Sequence, residues 1–163
     1  IKVMRKQKVI ICHSINENLA DAISQCTYDK LFILVDGHTR KLCIPLIQEA
    51  GFMKDAQLIC IGAEDVHKNL DTLAYVWKQL GDRGATRHSL LVNLGGGMVT
   101  DLGGFAASTF KRGIKYINVP TTLLAMVDAS VGGKTGINFN GLKNEIGVFS
   151  PAESVLILSL IHI

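Results

Sequence analysis

The feature that most constrains this chain is an alternation of short apolar runs with longer amphipathic stretches. Apolar runs of strand length lie at residues 8–12, 31–35, 58–61, 90–94 and 116–119. Between them, apolar residues recur at helical spacing in residues 16–25, 39–50, 68–80 and 97–110. Strands that alternate with helices of about 10–15 residues predict βαβ units. We therefore expect an α/β fold, a parallel sheet with flanking helices, in which Pro45 breaks the second helix and Gly51 ends it.

Composition restricts the kind of protein further. The chain has 163 residues, of which 48% are hydrophobic and 19% are charged. This length suffices for one domain with its own core, and the composition excludes a disordered tail or a coiled coil. A net charge of +3 is too small to indicate nucleic-acid binding. No apolar run reaches the length of about 18 residues that spans a membrane, and no signal peptide is recognisable, so we expect a cytoplasmic protein with no membrane partner.

Neither the cysteines nor the histidines have the spacing of metal ligands. The four cysteines form no CxxC pair, and we interpret them as reduced, mostly buried small side chains. The histidines form no HExxH or HxH arrangement, so we predict no metal site from this chain. Residues 1–157 are expected to form one domain. The last six residues, LSLIHI, have no cap or turn chemistry, and we interpret residues 158–163 as a non-native tail of a truncated piece.

The first candidate site is a triple glycine. In a parallel α/β sheet, ligands bind beyond the carboxyl ends of the strands. Gly95, Gly96 and Gly97 follow a buried run and open a helix, so a phosphate could approach the backbone N–H groups closely. The spacing GGGxxxD departs from the GxGxxG fingerprint. The same glycines are equally suited to a tight turn that lets helix and sheet pack closely.

Three further charged residues lie near predicted strand ends. Asp36 could accept hydrogen bonds from a ribose diol, or it could be a solvated loop carboxylate. Asp65 and Lys68 stand three residues apart at a predicted helix start, where they could cap the helix and pair with each other.

The chain changes character after Thr121. Five glycines fall within residues 132–147 without periodicity, which indicates a long loop or a ligand-wrapping segment. Lys134, Lys143 and Asn144 lie there together, and an anionic, oxygen-rich substrate needs such cations and an amide donor. Arg112 adds another group suited to phosphate. The alternative is a set of scattered surface charges.

These residues belong to a longer stretch that resembles a known family. Residues 95–149 read GGGMVTDLGGFAASTFKRGIKYINVPTTLLAMVDASVGGKTGINFNGLKNEIGVF and resemble 3-dehydroquinate synthase, an enzyme of the shikimate pathway, which leads to chorismate and aromatic amino acids. The resemblance covers residues 8–157. It implies a Rossmann-like sheet that binds NAD, completed by a helical C-terminal domain.

The resemblance also implies roles for individual residues. The residues implied to bind NAD are Asp36, Asp65, Lys68, Gly95, Gly96, Gly97, Asp101, Thr121, Thr122, Asp128, Lys134 and Lys143. The residues implied to act on the substrate are Asp128, Lys134, Lys143 and Asn144. Arg112 matches an arginine that reaches the substrate phosphate from the partner subunit of a homodimer. The family more often has glutamate where this chain has Asp65.

The family's reaction converts 3-deoxy-arabino-heptulosonate 7-phosphate to 3-dehydroquinate and phosphate. A carbinol is transiently oxidised by NAD, phosphate leaves by β-elimination, the ketone is reduced again, and an intramolecular aldol step closes the carbocycle. The family is therefore a phosphate-eliminating lyase. A divalent metal, zinc or cobalt, polarises the substrate hydroxyls. The family's metal ligands, one glutamate and two histidines, lie in the second domain. We therefore expect this piece to bind NAD weakly at most and not to turn over substrate.

Three other functions remain open. A sister sugar-phosphate cyclase would make an inosose or a valiolone from another sugar phosphate. A non-catalytic nucleotide-binding module would bind NAD without depending on Lys134 or Lys143. An alcohol or glycerol dehydrogenase relative would share the cofactor fold, although a neutral alcohol does not need this lysine cluster.

Overall fold

Two sheets form the framework of the molecule. The computed structural model describes residues 7–129 and 132–158. In chain order the strands are β1 Lys8–Cys12, β2 Leu31–Asp36, β3 Gln57–Ile61, β4 Leu90–Gly95, β5 Lys115–Pro120, β6 Lys134–Phe139, β7 Leu142–Phe149 and β8 Ser154–Leu158. Six of them form a parallel sheet in the order β1-β8-β5-β4-β2-β3, and β6 pairs antiparallel with β7 in a separate hairpin. The predicted parallel sheet is confirmed.

Helices cover both faces of the parallel sheet. They are α1 Ile15–Ser24, α2 Gly37–Leu42, α3 Ile44–Ile47, α4 Leu70–Asp82 and α5 Gly97–Thr109. Short 3₁₀ turns span Gly51–Lys54, Asp65–His67 and Phe110–Arg112, and a π-helix spans Ala125–Ala129. No helix among the described residues is long and apolar enough to cross a membrane.

The core consists of two layers, one on each side of the sheet. In β2, Phe32 and Leu34 pack in the layer shared with α4 and α5, whereas Leu31, Ile33 and Val35 pack in the layer shared with α1 and α3. All six residues of β2 are buried, as are all six of β4. Neighbouring residues on a strand point to opposite faces, so only a strand covered on both sides has this continuous apolar pattern.

The predicted helix over residues 39–50 is wrong in its bounds. The side chain of Asp36 caps α2, so helical structure begins earlier, at Gly37. Pro45 lies in the first turn of α3, where its missing N–H costs nothing, and the two helices are separated by Cys43. Gly51 opens a 3₁₀ turn and does not end a helix.

The long loop, one of the two possibilities given for residues 132–147, is wrong because β6 and β7 form a hairpin there. The other, a ligand-wrapping segment, stays a prediction. Asn140 and Gly141 make the turn of the hairpin with φ values of 52° and 75°, the left-handed pair that two-residue hairpin turns require. The two strands approach closely at Gly147, where a Cβ would lie 1.9 Å from the carbonyl oxygen of Thr135. Because every residue of β7 is exposed, its sequence lacks the alternation of apolar and polar residues that predicts a strand.

The cysteines are free, as predicted, but only Cys12 is fully buried. Burial raises the pKa of the Cys12 thiol to about 11. The other three are partly exposed, which corrects the expectation that most are buried. The predicted tail at residues 158–163 lies outside the described residues except for Leu158, which ends β8 and pairs with Cys12 of β1.

Candidate functional site

The carboxyl ends of the parallel strands enclose a cleft of about 500 Å³. Residues that follow β2, β3, β4 and β5 meet there because parallel strands end at one edge of the sheet. The cleft is lined by predicted site residues: Asp36, Asp65, Lys68, Gly96, Gly97, Asp101, Thr121, Thr122 and Asn144. Five further lining residues were not predicted as site residues: His38, Thr39, Ala63, Met98 and Leu124.

Asp36 is held rigidly at the end of β2. It is 7% exposed, and its Oδ1 accepts hydrogen bonds from the backbone N–H of Thr39 at 2.8 Å and from the Thr39 hydroxyl at 3.1 Å. The backbone N–H of Asp36 donates to Thr39 Oγ1 at 3.0 Å, which completes a capping box. Among the described residues these side-chain bonds all involve Oδ1, so Oδ2 is available to a ligand in the cleft.

The triple glycine lies where β4 leads into the N-terminus of α5. Gly96 is the N-cap residue, and no side chain caps this helix, so its first N–H groups face the cleft without a side-chain acceptor. Close packing also requires glycine here, because a Cβ on Gly95 would lie 2.6 Å from the Val99 side chain. A Cβ on Gly96 would lie 3.0 Å from the Thr122 methyl group.

Lys68 makes different contacts from those predicted for it. Asn69, not Asp65 or Lys68, caps α4 by accepting a hydrogen bond from the backbone N–H of Thr72 at 2.9 Å. Lys68 is 5% exposed, and its Nζ lies 2.7 Å from Asp101 Oδ2. The same Nζ donates to Asn144 Oδ1. The buried ammonium group is therefore both paired and hydrogen-bonded, which offsets its desolvation.

A second cavity of about 380 Å³ adjoins the hairpin. Asp101 and Asn144 line both this cavity and the cleft, so the two spaces share a wall. Lys134, exposed at the start of β6, also lines the second cavity. Lys143 is exposed on β7, next to Asn144. Of the two predicted lysines, Lys134 therefore lines the second cavity and Lys143 does not.

One predicted site residue, Arg112, is not brought into this group. Arg112 follows the C-terminus of α5 and lies at the amino end of β5, the opposite edge of the sheet from the cleft. There it lines an open cavity with Arg87, His88 and Lys111, and its own φ is +68°. Asp128 lies in the π-helix Ala125–Ala129, and its side chain is outside the described part of the structure.

Two further groups near the site have raised pKa values. Burial raises the pKa of the Cys43 thiol, and the negative charge of Asp36 adds to the effect. Burial also raises the pKa of Tyr116 to about 12, although its hydrogen bond to the carbonyl of Ser150 opposes the rise. Both groups are therefore neutral near pH 7. No group of three His, Cys, Asp or Glu side chains comes together as a metal site among the described residues.

Solved structures with this architecture define the class of protein. A 2-deoxy-scyllo-inosose synthase complexed with carbaglucose-6-phosphate, NAD+ and Co2+ is 25% identical, with a TM-score of 0.82 over 91% of this chain and 42% of that one. A 2-epi-5-epi-valiolone synthase from Streptomyces hygroscopicus with NAD+ and Zn2+ bound is 30% identical, with a TM-score of 0.81 over 96% and 44% of the two chains. The parallel sheet with flanking helices matches the Rossmann-like fold of these sugar-phosphate cyclase structures.

Sequence comparison identifies the family within that class. The family profile of the 3-dehydroquinate synthase N-terminal domain matches residues 58–161, and the chain belongs to this family. The 3-dehydroquinate synthase of Parabacteroides distasonis is 54% identical over 154 residues. That alignment covers 94% of this chain and 44% of the relative, so the chain spans less than half the length of the curated protein it matches.

Proposed function

We propose that the complete protein containing this chain is a 3-dehydroquinate synthase, a lyase that converts 3-deoxy-arabino-heptulosonate 7-phosphate to 3-dehydroquinate and phosphate. The observation that carries the proposal is the cleft itself, which gathers Asp36, the open N-terminus of α5 and the Lys68–Asp101 pair at one edge of the sheet. The 54% identity to a 3-dehydroquinate synthase supports the same reaction.

The residues of the cleft fit a dinucleotide such as NAD. Asp36 Oδ2 would accept hydrogen bonds from a ribose diol while Oδ1 remains in the capping box. The N–H groups at the start of α5 would bind the diphosphate, because the helix dipole and the uncapped donors both favour an anion there. Thr121 and Thr122 line the far side of the cleft. When bound, NAD would accept a hydride from the substrate carbinol and later return it.

The second cavity fits the anionic substrate. Lys134 at its rim supplies a cation for a carboxylate or phosphate, with Lys143 beside it, and Asn144 supplies an amide on the wall that faces the cleft. Lys68 is already neutralised by Asp101, so its function here is to orient Asn144 and not to bind the substrate's charge. The Zn2+ and Co2+ named for the two structural neighbours would require ligands that we expect elsewhere in the complete protein. For this reason we expect the 163-residue chain by itself to bind NAD weakly at most and not to release phosphate.

Two measurements on the complete protein test the proposal. We expect calorimetry to detect NAD binding, and we expect phosphate release from the heptulosonate phosphate. Lys134→Gln should lower kcat/KM by about ten- to a hundredfold, since a hydrogen bond to a charged group is lost. Lys54→Gln, an exposed lysine in a 3₁₀ turn, is the matched control. The absence of NAD binding, or turnover that is indifferent to Lys134→Gln, would contradict the proposal.

A sister cyclase is the second candidate, because the two solved synthases bind NAD+ in chains of the same architecture. Product analysis of the complete protein with several sugar phosphates separates the two functions. The second candidate predicts an inosose or a valiolone, whereas 3-dehydroquinate alone is expected from our proposal. A non-catalytic module would instead bind NAD and release no phosphate. The free thiols suit a reducing compartment, and we propose the cytoplasm as the site of action.

A further inference from the structure

The hairpin is irregular where it meets the cleft. Ile137 pairs with Ile146, and Phe139 pairs with Leu142. One residue of β6, Asn138, therefore faces three residues of β7, numbered 143–145. Asn144 lies at the centre of this bulge with φ of +52°, a left-handed conformation that is unusual for a residue other than glycine. Bulges next to functional sites redirect side chains, and this one directs Asn144 to the wall between the two cavities.

Asn138 bonds to both sides of this junction. Its side-chain Oδ1 accepts a hydrogen bond from the backbone N–H of Asn144 at 2.9 Å. Its side-chain Nδ2 donates to Asp65 Oδ2 at 3.1 Å, and its backbone N–H donates to the carbonyl of Lys68 at 2.8 Å. One carboxamide thus joins the bulge of the hairpin to the segment between β3 and α4.

We propose that Asn138 is a positioning residue that holds the bulge and thereby presents Asn144 to the substrate. The inference rests on the proposed function for its effect on turnover. A carboxamide fits both contacts, because its oxygen accepts from a backbone N–H while its NH₂ group donates to a carboxylate. A carboxylate at this position would keep the first bond but would oppose Asp65 with a like charge. Asn144 in turn accepts from Lys68, so the bulge is fixed at its backbone and at its side chain.

The decisive experiment reverses the polarity of the Asn138–Asp65 bond in the complete protein. Asn138→Ala removes both side-chain bonds, and Asn138→Asp removes only the bond to Asp65. The double variant Asn138→Asp/Asp65→Asn restores a donor opposite an acceptor. We expect Asn138→Ala to speed amide hydrogen exchange in residues 140–149 by about tenfold, the equivalent of one lost hydrogen bond, and to lower kcat/KM by about ten- to a hundredfold. Amide exchange in residues 140–149 should recover in the double variant.

Controls separate positioning from loss of stability and from failure of the proposed function. Asn18→Ala removes a comparable acceptor, the partner of the Ser14 backbone N–H, at the start of α1 and should change neither readout. An unchanged exchange rate in Asn138→Ala, or a double variant no better than Asn138→Asp alone, would overturn the inference. If the unsubstituted protein releases no phosphate, the proposed function fails, whereas the exchange measurement still tests whether Asn138 holds the bulge.

Discussion

Individual residues at the edge of the sheet combine a structural contact with a free polar atom. Asp36 closes the capping box of α2 with Oδ1 while Oδ2 remains available in the cleft. The sequence placed Asp36 and the triple glycine at strand ends, and the structure finds them at one cleft. The sequence could not predict the contacts of Lys68, because its partners Asp101 and Asn144 are 33 and 76 residues distant along the chain. Spacing along the chain carries no information about such contacts.

The two functions of Asp36 can be separated by comparing it with another helix cap. Asp36→Ala should destabilise the fold by about 1 kcal/mol through the lost cap and should also weaken NAD binding about tenfold. Asn69→Ala removes the cap of α4 and should cost similar stability. Because Asn69 lies outside the cleft, NAD affinity should not change in that variant. Calorimetry and urea unfolding measure the two effects, and equal NAD affinity in both variants would refute a ligand role for Asp36.

Cys12 should be the least reactive of the four thiols. Its side chain is 1% exposed, and burial raises its pKa from 9.0 to about 11, so the thiolate population near pH 8 is about a hundredfold smaller than for an ordinary cysteine. Mass spectrometry after brief iodoacetamide treatment should find Cys26 and Cys60 labelled before Cys12. Labelling of Cys12 should rise with pH toward 11 and on unfolding in urea. Equal labelling of Cys12 and Cys60 in the folded protein would contradict this burial.

At the scale of elements, sequence patterns predicted the parts that bury apolar surface on both faces. The strands β2 and β4 have continuous apolar runs because helices cover the sheet on each side. The hairpin has no such pattern, since every residue of β7 is exposed. The Asn140-Gly141 pair was the available sign of the hairpin, because both residues must adopt positive φ in a tight turn. Periodicity alone could not have found β6 and β7.

The contact between α5 and the sheet depends on a glycine. A Cβ on Gly103 would lie 2.0 Å from Asn93 Oδ1 and 2.8 Å from Leu34 Cδ2. Asn93 is fully buried and donates to Asn118 Oδ1 at 3.0 Å, so it has little room to move. We expect Gly103→Ala to destabilise the fold by about 1–3 kcal/mol through overpacking.

A second helical glycine provides the matched control for that substitution. Gly81 in α4 has no atom within 4 Å of an added Cβ. Gly81→Ala should therefore stabilise the protein by about 0.5–1 kcal/mol, because alanine loses less backbone entropy in a helix. Urea unfolding of both variants measures the two opposite changes. A stabilising Gly103→Ala would show that α5 packs less closely on the sheet than described here.

At the scale of the whole molecule, Arg112 lies apart from the predicted site residues that line the cleft. It lies at the amino edge of the sheet, away from the cleft, although the family resemblance assigns it to a substrate phosphate. Its φ of +68° belongs to a tight turn that it shares with Lys111 and Gly113, which also have positive φ. The family resemblance assigns this contact to the partner subunit, and we propose a symmetric dimer for the complete protein.

Mixing two inactive variants of the complete protein tests this arrangement. Arg112→Ala and Lys134→Ala should each lose most turnover alone. After the subunits exchange, a mixed dimer carries both defects in one site and none in the other. About a quarter of all sites are then intact, and about a quarter of the unsubstituted activity should return. If Arg112 acts within its own subunit, no activity returns on mixing, and phosphate release distinguishes the two results.

The wall formed by Asp101 and Asn144 has a thermodynamic consequence for whatever fills the two cavities. An occupant of one cavity that draws Asn144 away from Lys68 alters the surface presented to the other. The two occupants then change each other's affinity by the same factor, since the free energy of double occupancy does not depend on the order of arrival. The affinity for one ligand therefore reports whether the other ligand is bound.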